Sequence, residues 1–255
     1  MNRIGALLTE LQALDDAASR SSWLAQRDPR ATLLATLAFI VTVVSFDRTS
    51  VAALLPLTLF PLLLARLGDV ALSRIFGKLL LALPFVLMMG AFNPVFDSAP
   101  HLTLLGQPVS GGWLSLASLL IRATLTISAA LILIAVLGMP RLCAALDRLG
   151  VPRVLTTQLL FMHRYLFLLA GEFARRDLAR TLRAGTGQAM PLAVYGTLLG
   201  HLLLRTLERA LRIHQAMQAR GFDGHWPLHD ALRWQGRDTA FLVMCLAAFF
   251  LVRTA

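Results

Sequence analysis

This sequence predicts an all-α, polytopic membrane protein, and three observations lead there. The chain is 57% hydrophobic and only 15% charged, against roughly 45–50% apolar and about 25% charged in an ordinary soluble domain. Its mean hydropathy is +0.68, and several apolar runs approach the roughly 17–25 residues a helix needs to cross a bilayer. Its basic residues are also spread unevenly, as they are where cytoplasmic segments collect Lys and Arg. The pattern gives about five to six transmembrane helices and long amphipathic cytoplasmic helices. No Pro/Gly/Ser-rich linker divides residues 1–255, so one domain is expected.

Residues 1–30 are polar but place Leu7, Leu8, Leu11 and Leu14 at helical spacing. This reads as an amphipathic helix lying on the membrane surface. A cationic start, an apolar core and a small-residue cleavage site do not follow one another there, so no signal peptide is expected. Asp28-Pro29-Arg30 ends the segment, and Pro29 suits the first turn of the next helix. The first span is 31–46, followed by the polar turn 47–50. The second is 51–67, with kinks expected at Pro56 and Pro61. Arg66, Arg74 and Lys78 lie in or beside the connection 68–78. The third span, 79–96, is interrupted by Pro84 and closed by Asn93-Pro94. Residues 98–112 contain Gly106, Pro108, Gly111 and Gly112 but no Lys or Arg, the mark of a turn-rich external loop. The fourth span is 113–138, with Trp113 as an interfacial aromatic. A long basic region, 139–237, precedes the last span, 239–252 within 238–255, which Arg253 closes.

The net charge is +10, and 23 of the 24 basic residues are arginine. In a soluble protein this would suggest nucleic acid; here the positive-inside rule accounts for most of it and no nucleic-acid partner is expected. Residues 1–30 carry four basic residues, 47–50 one, 66–78 three, 98–112 none and 139–237 fourteen. Five spans with an internal N-terminus put every rich segment in the cytoplasm and the C-terminus outside. Residues 154–170 and 191–204 are apolar enough to dip into or cross the membrane, and two extra crossings would leave both ends in place.

Two helices dominate the basic region. In the first, over 160–183, Arg176, Arg180 and Arg183 fall within an arc of about 60°. Such like charges repel at i, i+4, and Glu172 opposite Arg176 offsets part of this. The face is either a docking surface or a solvated one beside anionic lipid headgroups. In the second, over 201–220, Arg205, Glu208, Arg209, Arg212 and Arg220 share one arc. Leu203, Leu204, Leu207, Ala210, Leu211, Ile213, His214 and Met217 share the other, which should pack on neighbouring helices or enter the interface. Gly221 breaks this helix and Phe222-Asp223-Gly224 makes a turn. Arg220 is thereby left at a helix end, where a guanidinium can bind a carboxylate bidentately.

These pieces resemble the transmembrane (T) component of energy-coupling factor (ECF) transporters, in particular the CbiQ-like cobalt-transport proteins. The resemblance covers nearly the whole chain. It is carried by Arg27-Asp28-Pro29-Arg30, Asn93-Pro94, Leu149-Gly150-Val151-Pro152-Arg153, Arg164-Tyr165-Leu166 with Glu172, and residues 216–224. In that family two motifs of the Ala-Arg-Gly type end two cytoplasmic coupling helices, which dock into grooves of two ABC-type ATPase subunits. Ala219-Arg220-Gly221 matches the second motif intact. Leu182-Arg183-Ala184 stands in the place of the first but departs at both flanking residues, and Ala179-Arg180-Thr181 lies one turn earlier. The resemblance therefore implies ATPase docking through Arg183 or Arg180 and through Ala219, Arg220 and Gly221.

The residues exclude much else. No Gly-x-x-x-x-Gly-Lys-Ser/Thr phosphate loop occurs, so ATP binding by this chain is not expected. No span holds paired carboxylates for metal-assisted phosphate chemistry; Asp15-Asp16 falls on the surface helix. No catalytic residue, cofactor or metal ligand is assigned. His101, His163, His201, His214, His225 and His229 are irregularly spaced, Pro227 separates the last two, and His214 belongs to the apolar arc. Cys143 and Cys245 lack metal-ligand spacing and read as buried small hydrophobes. Arg122 lies about 13 Å into the fourth span by helical rise. It either snorkels to the outer surface or meets another subunit.

The resemblance implies a non-enzymatic coupling subunit of an ECF-type ABC importer in the cell (inner) membrane, with a cytoplasmic N-terminus. Cobalt is the first substrate it implies, then nickel, then vitamins. The implied partners are two ABC-type ATPase subunits and a substrate-binding membrane S component, with a small accessory membrane subunit as a further candidate, all within the lipid bilayer. In that family the S component binds the metal. The residues alone leave open a membrane-bound enzyme acting on a lipid substrate. They also leave open a stand-alone secondary transporter, though no internal repeat supports that.

Overall fold

The structure, a computed structural model, describes residues 22–24, 26–47, 51–92, 100–104, 107–184, 192–224 and 234–254. The expected surface helix before residue 22, Asn93-Pro94, His225 and His229 lie outside them. In chain order the elements are α1 (Pro29–Val44), α2 (Val51–Leu54), a 3-10 turn (Pro56–Thr58), α3 (Leu59–Leu67), α4 (Leu72–Gly90), β1 (Pro100–Leu104), β2 (Gln107–Ser110), α5 (Gly111–Arg148), α6 (Arg153–Ala184), α7 (Leu192–Ala219) and α8 (Gly236–Thr254). They fall into two compact units. Of the described residues, one comprises those within 150–224 and the other those within 22–149 and 234–254.

Local chemistry sets the helix ends in the larger unit. Asp28 caps α1, its carboxylate accepting the Arg30 N–H at 2.9 Å, and Pro29 takes the first helical position, where a missing N–H costs nothing. The second apolar stretch does break at Pro56, where the chain leaves α2 for the 3-10 turn. Pro61, expected to kink it too, sits buried in the first turn of α3, where no intrahelical N–H bond is required. Helix α4 starts well before the expected third span, so Arg74 and Lys78 are helical. The charges had marked the membrane edge, and helix α4 crosses that mark without ending. Gly138, at φ 65° and ψ 165°, divides α5 into two segments just before Pro140, at the expected end of the fourth span. Within the stretch expected to be external, β1 and β2 pair antiparallel with Leu104 opposite Gln107. This small hairpin was not anticipated, although Leu102 and Leu104 alternate ahead of Gly106.

Helix α5 is the hub: α1, α2, α3 and α4 pack on it, and α8 packs on α1. Ala31, Ala35 and Ala129 are fully buried, letting helices approach closely. At Gly68 a Cβ would collide with the Val136 side chain. Phe39 stacks on Phe60 at 4.5 Å between ring centres, and Phe249 closes the cluster at 5.6 and 5.0 Å. Outward, Phe76, Leu81, Phe85, Met88 and Met89 are all exposed, Leu81 to 82%. So large an apolar surface is a liability in water and the normal state of a lipid-facing helix. By length and composition, 112–148 and 153–179 can each cross a bilayer, and three shorter helices are also apolar. The fold is that of an all-α membrane protein.

A buried charge cluster ties the start of α1 to the start of α8. Asp238 reaches back to the Gln235 N–H at 3.0 Å, as in a capping box. Its other oxygen accepts the Asp28 N–H at 3.4 Å and lies 3.8 Å from the Arg27 guanidinium. Arg27 in turn lies over the Trp23 ring at 4.2 Å. Arg122 donates to the main-chain carbonyl of Asp47, just beyond α1, which gives it a partner inside the chain. Cys143 and Cys245 are free and buried.

Candidate partner-docking site

The smaller unit is built on α6 and α7. Helix α6 spans the expected 160–183 and starts earlier, at Arg153; α7 starts earlier than expected, at Leu192. Pro152 accepts the N–H groups of Leu155 and Thr156 at the head of α6.

The end of α7 carries the intact motif. Ala219 is the last helical residue. Gly221 adopts φ 81°, a left-handed conformation that costs glycine little. Its N–H bonds to the Gln218 carbonyl and that of Phe222 to Met217, both at 3.0 Å. This is a Schellman closure, and it satisfies carbonyls that a helix end otherwise leaves open. Arg220 is therefore fixed at the helix terminus with its side chain exposed. Gly224, at φ 89°, follows, and its carbonyl accepts the Thr157 hydroxyl at 3.2 Å. Phe222 meets Phe161 with ring centres 6.3 Å apart. These two contacts anchor the turn on α6.

The two helices enclose an apolar groove of about 590 Å³ whose lining includes Phe161, Tyr165, Leu168, Ile213, Met217 and Phe222. Met217 and Phe222, the residues that conventionally touch across a Schellman closure, both line it. His214 lines it as well, and is exposed there and not packed in a core. Beyond the groove, Glu172 pairs with Arg209 of α7 and, at 4.0 Å, with Arg176 on its own helix. The Arg209 hydrogen bond is the largest influence holding the Glu172 carboxyl below the usual carboxylate range. Burial opposes it, and the charges of Arg209, Arg176 and Arg205 add to it. Sequence reading found the Arg176 pair, which is local, and missed the Arg209 pair, which joins residues 37 apart. The Glu208–Arg212 pair forms at 3.9 Å on the exposed face.

Not all of the expected apolar arc is covered. Leu203, Leu204, Leu207 and Leu211 are each more than half exposed, whereas Leu202, Thr206, Arg209, Ile213 and Met217 are partly covered. The covered stripe is rotated from the one drawn by hydrophobicity because Arg209 enters it to reach Glu172. Arg180 and Arg183 lie on the last turns of α6, but their side chains fall outside the described residues. Among the described residues no three His, Cys, Asp or Glu side chains gather as a metal site.

A helical bundle with a large exposed apolar surface, followed in the chain by two paired helices that end in an exposed arginine, defines an all-α membrane protein. The chain matches the model of the CbiQ cobalt transport protein family over residues 20–229 and belongs to that family. It is 34% identical over 97 residues to the nickel permease LarQ of Lactiplantibacillus plantarum, covering 38% of this chain and 36% of that protein. It is 32% identical over 116 residues to the cobalt transport protein CbiQ of Salmonella typhimurium, covering 41% of this chain and 52% of that one. The matches thus span about a third and about half of these relatives' lengths.

Proposed function

We propose that this chain is the T subunit of an ECF-type importer, passing ATP-driven motion of two ABC-type ATPases to a substrate-binding membrane S component. One observation carries the reading: a Schellman closure, anchored on α6, presents Arg220 outward from the intact Ala219-Arg220-Gly221. A guanidinium held at a helix end can enter an acidic groove and bind a carboxylate through two parallel N–H bonds. Either Arg183 or Arg180, at the end of α6, supplies the second docking point. Residues 1–138 and 238–255 hold the membrane spans, and 139–237 form the coupling helices in the cytoplasm. The N-terminus is cytoplasmic, in the cell (inner) membrane. The substrate is a divalent transition-metal ion, cobalt first and nickel next, in keeping with what the two relatives are called. The subunit performs no bond chemistry and acts as a mechanical adaptor.

Gentle-detergent purification of the tagged chain from its source cells tests this. Co-purification of two ABC-type ATPase subunits and a small membrane protein is the expected result. A chain that purifies alone with its activity intact would overturn the coupling role.

A further inference from the structure

We propose that a cationic recess between α6 and α7 binds the phosphate headgroup of an anionic phospholipid. The recess has a volume of about 330 Å³ and is lined by Glu172, Arg175, Arg176, Ala179 and Arg205. Residues 172, 175, 176 and 179 recur at helical spacing on one face of α6, and Arg205 comes from α7. Three arginines thus face one glutamate. That glutamate is already engaged by Arg209 and Arg176. Arg175 and Arg205 are both exposed; the Arg205 charge acts on Glu172, but neither arginine is within ion-pair distance of a described carboxylate. Two such guanidiniums lining one recess from different helices form a site for a doubly bonded oxyanion.

The surroundings select a lipid as the source of that phosphate. Along α7, Arg205 belongs to the charged arc, and Leu203, Leu204, Leu207 and Leu211, all exposed, form the apolar arc of the same helix. Along α6, exposed Met162, Leu166 and Leu168 precede the recess, in a stretch apolar enough to enter a bilayer and with few fully buried residues. The recess therefore lies where an apolar surface gives way to a charged one, the position of a headgroup above its acyl chains. A free phosphate ion would gain nothing from those leucines. The inference does not rest on the docking role of Arg220.

The test uses the full-length protein in neutral detergent, with native mass spectrometry reading bound lipid during titration with phosphatidylglycerol. Phosphatidylcholine and inorganic phosphate are parallel titrants. Phosphatidylglycerol should bind in preference to phosphatidylcholine, and Arg175→Gln with Arg205→Gln should weaken it about twenty-fivefold, at roughly fivefold per arginine. Arg212→Gln, on the exposed Glu208 pair, should leave it unchanged. Ala179→Trp, which fills the recess and keeps every charge, should also weaken it. Equal binding of the two lipids, full retention by the double variant, or no effect of Ala179→Trp would each overturn the site. Displacement of the lipid by inorganic phosphate at equal affinity would overturn the assignment to a lipid.

Discussion

The Thr157 hydroxyl donates to the Gly224 carbonyl at 3.2 Å, across 67 residues of sequence. The turn beyond Arg220 is thereby fastened to the neighbouring helix near its first turn. Thr157→Val keeps the side-chain shape and removes the bond, whose net worth is about 0.5–1.5 kcal/mol. It should weaken ATPase binding severalfold, measured by titrated pull-down, with normal accumulation of the protein in membranes. Unchanged affinity would mean that the Schellman bonds of α7 alone hold the turn.

The Glu172–Arg209 pair makes the joining of α6 and α7 depend on pH. The folded-state pKa of Glu172 is lowered, chiefly by the Arg209 hydrogen bond. Its contribution is therefore complete above the ordinary carboxylate range and is lost as pH falls through the lowered value. Amide protection factors over 205–217, corrected for intrinsic exchange, should fall on acidification. Glu172→Gln should show reduced protection already at neutral pH and a flatter acid response. An identical pH profile in both proteins would contradict the assignment.

The Asp238 cluster is expected to matter for stability and not for docking. Asp238→Asn keeps the size of the side chain but removes the charge opposite Arg27 and one acceptor for main-chain N–H groups. Disrupting such buried bonds costs about 1–3 kcal/mol. The melting temperature in detergent should fall, while the ATPase affinity of the protein that remains folded stays unchanged. A loss of affinity without a loss of stability would move this cluster into the functional site.

The proposed orientation rests on the basic-residue count. In a background without Cys143 and Cys245, Gln107→Cys should react with an impermeant thiol reagent added outside intact cells. Gln218→Cys should react only after permeabilisation. Reaction of both from outside would refute the proposed topology.

Much of this was legible in the chain because the signals are local. Pro29 and Asp28 announce the start of α1, Gly138 a break in α5 and Gly221 the end of α7, each through the backbone geometry it imposes or permits. What stayed hidden depends on residues brought together from afar. Nothing near Glu172 indicates that its closer partner is Arg209, and nothing near Asp28 points to Asp238. Arg122 was expected to snorkel outward or to meet another subunit; one partner it finds inside the chain is the Asp47 carbonyl, which carries no side-chain signature. The expected apolar arc of α7 was to pack on neighbouring helices or enter the interface; Leu203 is left exposed, and Arg209 is drawn into the covered stripe by a distant ion pair that hydrophobicity does not signal.

The central claim is that Arg220 docks this subunit onto an ATPase, and metal uptake by cells carrying point variants tests it most directly. Removing one partner of a desolvated charged pair costs roughly 2–5 kcal/mol, enough to disable one of two docking points. Arg220→Glu should abolish uptake of radioactive cobalt while the protein still accumulates in the membrane. Arg220→Lys should be partly defective because an ammonium lacks the planar fork. Arg212→Glu, on an exposed and locally paired position, should transport almost normally. Normal uptake by Arg220→Glu, or equal damage from Arg212→Glu, would contradict a specific docking role and leave only diffuse surface charge.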